Sequence, residues 1–288
     1  MVLKTLRCGR RELDISRPVV MGVVNVTPDS FSDGGRYFRQ SRLCIDVVLR
    51  QAEAMVASGA KILDVGGEST RPGATPVSVS EEMDRVLPVI EQLAQLFDVV
   101  ISLDSSQAEV IDAAAKLGMG LINDVRSLSL PGALDVAAKT GLPVCLMHMQ
   151  GGGPATMQLN PDYADVVEDV QDFLQQQVVR CGVAGIAADQ ILLDPGFGFG
   201  KSLRHNLTLL NRLDQLVALG YPVLSGTSRK SMVGQVTGKP VDQRLAGSLA
   251  TALLAAQKGA AILRVHDVAE TVDALNVLEA VYQETWEI

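Results

Sequence analysis

Short apolar runs recur along this chain, and each is followed by a polar or charged residue. They are Val19–Val24 before Asn25, Ile62–Leu63 before Asp64, Val99–Leu103 before Asp104 and Leu121–Ile122 before Asn123. Val144–Met147 before His148, Ile191–Leu193 before Asp194, Val223–Leu224 before Ser225 and Ile262–Val265 before His266 complete the set. Such runs suit strands of a parallel sheet covered on both faces. Between them the period changes. Val86, Val89, Ile90, Leu93, Leu96 and Phe97 line one face of a helix, as do Val166, Val167, Val170, Phe173 and Leu174, and again Val272, Leu275, Leu278 and Tyr282. Ser80 before Glu81 and Glu82 reads as an N-cap with an acidic first turn. Gly59, Gly118, Gly141, Gly182, Gly220 and Gly259 are placed to end helices. Eight strand-then-helix units in about 270 residues predict a single-domain (β/α)8 TIM barrel, with an open doubly wound sheet as the runner-up. Residues 2–17, with Gly9-Arg10 at their middle, read as a hairpin. The predicted organisation is therefore a hairpin lead-in over 1–18 and a barrel over 19–288.

Composition narrows the function classes. At 288 residues and 47% hydrophobic, the protein has enough apolar material for a large core, which excludes a disordered protein. Lys and Arg number 25 against 33 Asp and Glu, a net charge of −8, with no basic run; nucleic acid and anionic membranes are poor partners. The longest stretch without Asp, Glu, Lys or Arg, Thr140–Pro161, is broken by two prolines and a Gly151-Gly152-Gly153 run, so no membrane span is expected. The first residues lack the apolar core of a signal peptide. Cys8, Cys44, Cys145 and Cys181 form no CxxC pair, as unpaired thiols in a reducing compartment do. A soluble, cytoplasmic protein is expected.

Barrel chemistry sits at the C-terminal ends of the strands, so the polar residues that close the apolar runs are the candidates. Arg264 and His266, two apart on a strand, point the same way and need an anion: either a bound one or an internal carboxylate such as Asp194. The last two strand ends are also the recurring phosphate site of such barrels. Ser228-Arg229-Lys230-Ser231 places two cations and two hydroxyls where a strand gives way to a helix, suited to a carboxylate or phosphate. Lys230 also keeps a Schiff-base aldolase open. Asp104 and Asn123 serve equally as helix caps or as readers of a flat heterocycle. The Asn25–Gly35 and Gly66–Ala74 segments are rich in Gly, Ser and Thr, consistent with ordinary turns or with a ligand-approaching lid. The segment Asp194–Lys201 is glycine-rich but lacks P-loop spacing. His205 reads as a surface residue without a partner. Three His and no spaced Cys/His cluster argue against structural zinc; any metal would be a hard ion such as Mg²⁺.

The motifs MGVVNVTPDSFSDGG, ILDVGGESTRPGA, INDVRSL, LPVCLMHMQG, LLDPGFGFGK, SRKSM and RVHDV run in order from about residue 19 to 281. In these the sequence closely resembles the bacterial dihydropteroate synthases of the folate pathway. The resemblance implies condensation of 6-hydroxymethyl-7,8-dihydropterin diphosphate with 4-aminobenzoate, giving 7,8-dihydropteroate and pyrophosphate, with Mg²⁺ required. It implies Asn25 as the Mg²⁺ ligand, and Arg264 and His266 on the diphosphate with Thr70 and Arg71. Asp104, Asn123, Met147, Asp194 and Lys230 would surround the pterin, along which Arg264 also stacks. Ser231 would receive the aminobenzoate carboxylate, and Phe31 and Pro72 would line its pocket. Asp104, Lys230, Arg264 and His266 are the expected catalytic set. A homodimer and sulfonamide sensitivity are implied too. Ser105, Gln107 and the Gly151–Gly153 run depart from the usual pattern without touching these positions. The rival readings are a pterin-binding methyltransferase and a non-catalytic pterin-binding paralogue on the same barrel.

Overall fold

The computed structural model describes residues 3–27, 38–39, 42–43, 45–69, 77–151 and 161–285. A hairpin opens the chain: β1 (Thr5–Cys8) pairs antiparallel with β2 (Arg11–Asp14), and Gly9 takes the left-handed φ of +64° that the tight turn requires. The first barrel strand, β3 (Val19–Asn25), is followed by a short antiparallel pair that the apolar pattern did not signal, β4 (Phe38–Arg39) and β5 (Arg42–Leu43). Then come α1 (Ile45–Ala57), β6 (Ile62–Gly66), α2 (Val79–Leu96), β7 (Val100–Asp104), α3 (Ala108–Lys116), β8 (Leu121–Asp124), α4 (Ala133–Thr140), β9 (Val144–Met147) and α5 (Val166–Val183). The remaining elements are β10 (Ile191–Asp194), α6 (Leu203–Asn211), α7 (Leu213–Val217), β11 (Leu224–Ser225), α8 (Ser231–Thr237), α9 (Leu245–Gln257), β12 (Ile262–Val265) and α10 (Val268–Gln283).

Eight parallel strands run in the order β10-β9-β8-β7-β6-β3-β12-β11. The two ends of that order meet: Leu193 of β10 bridges to Val223, and its amide donates to Pro222 O at 2.9 Å. The sheet is thus a closed barrel and not the open doubly wound alternative. Two boundaries differ from expectation. The N-cap of α2 is Ser78, whose hydroxyl accepts from the Glu81 amide, so Ser80 lies inside the first turn. After α5 the left-handed residue is Gly185, at φ +93°, while Gly182 stays helical.

Alternation along the strands sorts every barrel residue. Val20, Leu63, Ile101, Ile122, Leu146, Leu193 and Leu263 face outward onto the helices. Inward, Met21, Ile62, Val100, Leu121, Cys145, Leu192, Leu224 and Ile262, one from each strand, form an apolar floor. Leu6, Cys8, Leu13 and Ile15 of the hairpin pack beneath that floor and close the bottom of the barrel. Among the described residues, no helix is long and apolar enough to cross a membrane.

Candidate active site

Two residues beyond the floor on each strand, period-two alternation brings the next inward set: Val23, Asp64, Ser102, Asn123, Met147, Asp194, Gly226 just past β11, and Arg264. A further step reaches Asn25, Gly66, Asp104 and His266. The interior therefore turns from apolar to polar within one layer, at the C-terminal mouth where barrel ligands bind.

Arg264 organises this layer. Its Nε donates to Asp64 Oδ2 at 2.7 Å and its Nη2 to Asp104 Oδ2 at 3.0 Å. Asp64 is fully buried, and the same oxygen accepts from Asn123 Nδ2 at 3.1 Å. One carboxylate thus orients both the guanidinium and the amide. Burial works against the charge of Arg264, but Asp64 and Asp104 outweigh it and hold the side chain firmly cationic. Burial raises Asp104 above the usual carboxylate range; Arg264 opposes this, while Asp64 adds to it. Asp64 Oδ1 and the neighbouring Ser102 Oγ take no partner among the described residues, so the base of the pocket offers unused acceptors.

Lys230 faces Arg264 across Gly226, where a Cβ would lie 3.9 Å from Lys230 Nζ and 3.8 Å from Arg264 Cβ. Its Nζ donates to Phe197 O and stands 4.7 Å from the centre of the Phe199 ring. Burial pushes Lys230 down to about 8, against the pull of Asp194. Asp194 is buried and raised by desolvation, and its Oδ1 accepts from the Gly196 amide at 2.7 Å. His266 lies one residue past β12, its Nδ1 3.1 Å from Ser228 Oγ, which also accepts from the His266 amide. Asn25, at the end of β3, reaches the gap that Gly66 leaves beside Asp104: a Cβ at Gly66 would sit 3.6 Å from Asn25 Oδ1 and 3.8 Å from Asp104 Oδ2. Met147 is buried at the end of β9, and Ser231 is the exposed first residue of α8.

A family model described as pterin binding enzyme matches residues 21–266, which takes in every residue of this cluster. The dihydropteroate synthase of Escherichia coli K12 is 57% identical over 268 residues, 93% of each chain. The chain belongs to the dihydropteroate synthase family. Solved structures agree. The Yersinia pestis dihydropteroate synthase with a sulfonamide drug complex superposes at a TM-score of 0.93, with 54% identity over 97% of this chain and 99% of that one. The Xanthomonas albilineans dihydropteroate synthase in complex with 7,8-dihydropteroate gives 0.86, with 46% identity over 96% and 98%. This family member is accordingly an enzyme, a transferase on a TIM barrel.

In this family member the structure brings Asn25, Asp104, Asn123, Met147, Asp194, Lys230, Arg264 and His266 to one mouth. Phe31, Thr70, Arg71 and Pro72 lie outside the described residues. Three sequence readings are corrected. The carboxylates in contact with Arg264 are Asp64 and Asp104, not Asp194, because barrel closure sets β12 two strands from β6 and Asp64 points inward. Arg229 does not join Lys230; a left-handed φ of +57° turns it to a bidentate ion pair with Asp267. His205 is no lone surface residue, since it closes a capping box with Ser202 and packs edge-on to Tyr163 at 4.9 Å. Asp64 was read only as one of the polar residues that close the apolar runs, with no role or partner, and Lys201 only as the end of a glycine-rich segment. A charged residue inside an otherwise apolar five-residue strand, Ile-Leu-Asp-Val-Gly, was the available signal for the first.

Proposed function

We propose that this protein joins 6-hydroxymethyl-7,8-dihydropterin diphosphate to 4-aminobenzoate, releasing pyrophosphate and forming 7,8-dihydropteroate. The observation that carries this reading is the Arg264 guanidinium, fixed by Asp64 and Asp104 at the barrel mouth with Lys230 and His266 nearby. A cationic edge held that rigidly suits a departing diphosphate. Asp104, Asn123, Asp194 and Lys230 supply acceptors and donors around the space where a flat pterin fits, and Met147 gives it an apolar wall. By motif alone, Thr70 and Arg71 join the diphosphate site, Phe31 and Pro72 the aminobenzoate pocket, and Ser231 the aminobenzoate carboxylate.

Asn25 fits Mg²⁺: it offers one hard oxygen at the strand end beside Gly66 and Asp104, and Mg²⁺ keeps most of its shell as water and substrate phosphate. Bound there, Mg²⁺ would offset the charge of the diphosphate. The protein's own residues do the rest. Arg264 and His266 stabilise the leaving group as the bond between the pterin methylene carbon and the diphosphate oxygen breaks and its electron pair departs with pyrophosphate. Asp194 and Asp104 place negative charge beside the ring, where positive charge develops. The aminobenzoate nitrogen is neutral at pH 7 and attacks through its lone pair. Its proton leaves afterwards from a nitrogen made acidic by bond formation, so this dissociative route needs no protein base. Free, buried Cys8, Cys145 and Cys181 fit a reducing, cytoplasmic setting.

The test is one incubation of the full-length protein with pterin diphosphate, 4-aminobenzoate and Mg²⁺, following pyrophosphate and the mass of dihydropteroate. Product that disappears with chelator and is suppressed by a sulfonamide competing with aminobenzoate is expected. Tight pterin binding without product would overturn the reading in favour of a binding paralogue or methyltransferase.

We also propose a homodimer through α9 and α10, which pack side by side and expose Leu254, Val277, Val281 and Tyr282. Val277→Glu with Val281→Glu is expected to give a monomer by light scattering. An unchanged dimer, or a wild-type monomer, would sink the idea.

A further inference from the structure

Lys201 is 4% exposed and touches no carboxylate among the described residues. A buried lysine amine without a contacting carboxylate is a costly way to fill space, and burial pushes Lys201 well below its ordinary value. Its Nζ sits instead among backbone acceptors from two strand exits: Gly196 O and Phe199 O at 3.0 Å, His148 O at 3.3 Å, and the His148 ring at Nδ1, 2.8 Å away. With Lys201 Nζ donating, Nδ1 is the acceptor of a neutral imidazole. Burial, with Lys201 beside it, pushes His148 down to about 3, in agreement. Asn206 of α6 holds the same loop from behind. Its Oδ1 accepts from the Gly198 amide at 2.7 Å, and its Nδ2 donates to Lys201 O at 3.2 Å and Ser202 O at 2.8 Å.

The front of this loop is the seat of Lys230. Phe197 O accepts from Lys230 Nζ, the Phe199 ring lies under that ammonium, and a Cβ at Gly198 would stand 3.5 Å from Lys230 Cδ. Loop residues 196–200 thus separate two buried amines, one used by the site and one not.

We infer that Lys201 is a positioning residue: through the backbone of 196–200 it fixes the carbonyl and the ring that hold Lys230 in the pterin pocket. The inference rests on the reading of Lys230 as a pterin contact. Lys230 is faced by Asp194 from β10, Arg264 from β12 and Asp104 from β7, and by the loop itself. Releasing the loop rehydrates Lys230 and raises its titration toward that of a free lysine, so the alkaline limb of kcat/KM moves to higher pH.

The experiment is steady-state kinetics on the full-length protein for Lys201→Met, Lys230→Met and the double variant, with thermal unfolding of each. Lys230→Met is expected to raise KM for pterin diphosphate. Lys201→Met is expected to raise it about tenfold, as a displaced binding group does. The aminobenzoate KM stays within about twofold, and the alkaline limb shifts upward. In the double variant Lys201→Met adds nothing further, because its route runs through Lys230. Independent, multiplying effects, or an unchanged KM and limb in a folded Lys201→Met, would overturn the inference while leaving the proposed function intact. A normal pterin KM in Lys230→Met would overturn the reading of Lys230, and this route with it. If Lys201→Met does not fold, Asn206→Ala loosens the same loop from the other side and must show the same KM and pH signature.

Discussion

Replacing Arg264 by Lys is expected to lower kcat/KM for the pterin diphosphate by at least about 1000-fold, ~4 kcal/mol of transition-state stabilisation. The substitution keeps the charge, so the expectation rests on shape. The guanidinium is a planar fork whose Nε and Nη2 serve two different carboxylates, Asp64 at 2.7 Å and Asp104 at 3.0 Å. The side chain still keeps 21% exposure toward the mouth, whereas Asp64 has none. A lysine ammonium is a point charge on a flexible stem; it can approach one carboxylate or face the ligand, not hold both in a fixed plane. The abandoned carboxylate would then be a buried, unpaired charge, which is more damaging than loss of the pair itself. Asn123, which shares the Asp64 oxygen, would lose its fixed orientation as well. Pyrophosphate release under kcat/KM conditions measures the effect, with the melting temperature as a control for folding. Activity within tenfold of wild type would mean that charge alone, not the fork, is what the site uses.

Gly196→Ala is expected to destabilise the fold by about 4 kcal/mol, lowering Tm by roughly 8 °C in a chain of this size. Two causes add. Gly196 has φ +68°, a region that costs a residue with a Cβ about 1–2 kcal/mol. The added Cβ would also overlap the His148 carbonyl oxygen and lie 3.3 Å from Met147 Cγ. There is no flexible side-chain end to move aside, because that carbonyl is held between strand exits. The His148 amide donates to Asp194 O at 3.0 Å, and the Gly196 amide to the Asp194 carboxylate at 2.7 Å. Relief of the clash must therefore drag Asp194 or part β9 from β10. Differential scanning calorimetry decides the matter; a Tm within about 2 °C of wild type would show that the two loops spread without loss.

The barrel and most of its mouth were legible because inward and outward positions alternate so regularly. An apolar run closed by Asn25, Asp104, Asn123 or Asp194 already names the strand, its direction and the residue at its business end. What was not legible is which inward residues meet. Asp64 and Arg264 are 200 positions apart, and only closure of the sheet, through β3, sets them across one strand from each other. No local spacing carries that information, so Asp194 was an equally reasonable partner. Asp64 stood among the polar residues that close the apolar runs, but its strand continues to Gly66, which sets it one layer deeper than Asp104 and against Arg264. Arg229 shows another limit: its neighbour Lys230 enters the site, but a left-handed backbone, unmarked by glycine, sends Arg229 elsewhere. Lys201 has the look of the tail of a flexible glycine-rich loop, whereas its amine is what the loop's carbonyls converge on. The helix caps missed by a few residues, Ser78 for Ser80 and Gly185 for Gly182, are the ordinary uncertainty of element ends.

The hairpin beneath the floor has a kinetic consequence. Leu6, Cys8, Leu13 and Ile15 seal the lower end, so among the described residues the barrel is a well closed at its bottom. In a blind well, depth is chronology. On the proposed reading, a pterin seated among Asn123, Asp194 and Lys230 would go in before anything seated above it, and a joined product would leave through the space its second half occupies. In the proposed reaction, pyrophosphate released beside Arg264 and His266 would leave through the same mouth. A few apolar side chains at the far end of the molecule would thereby impose a queue on the proposed chemistry at the near one.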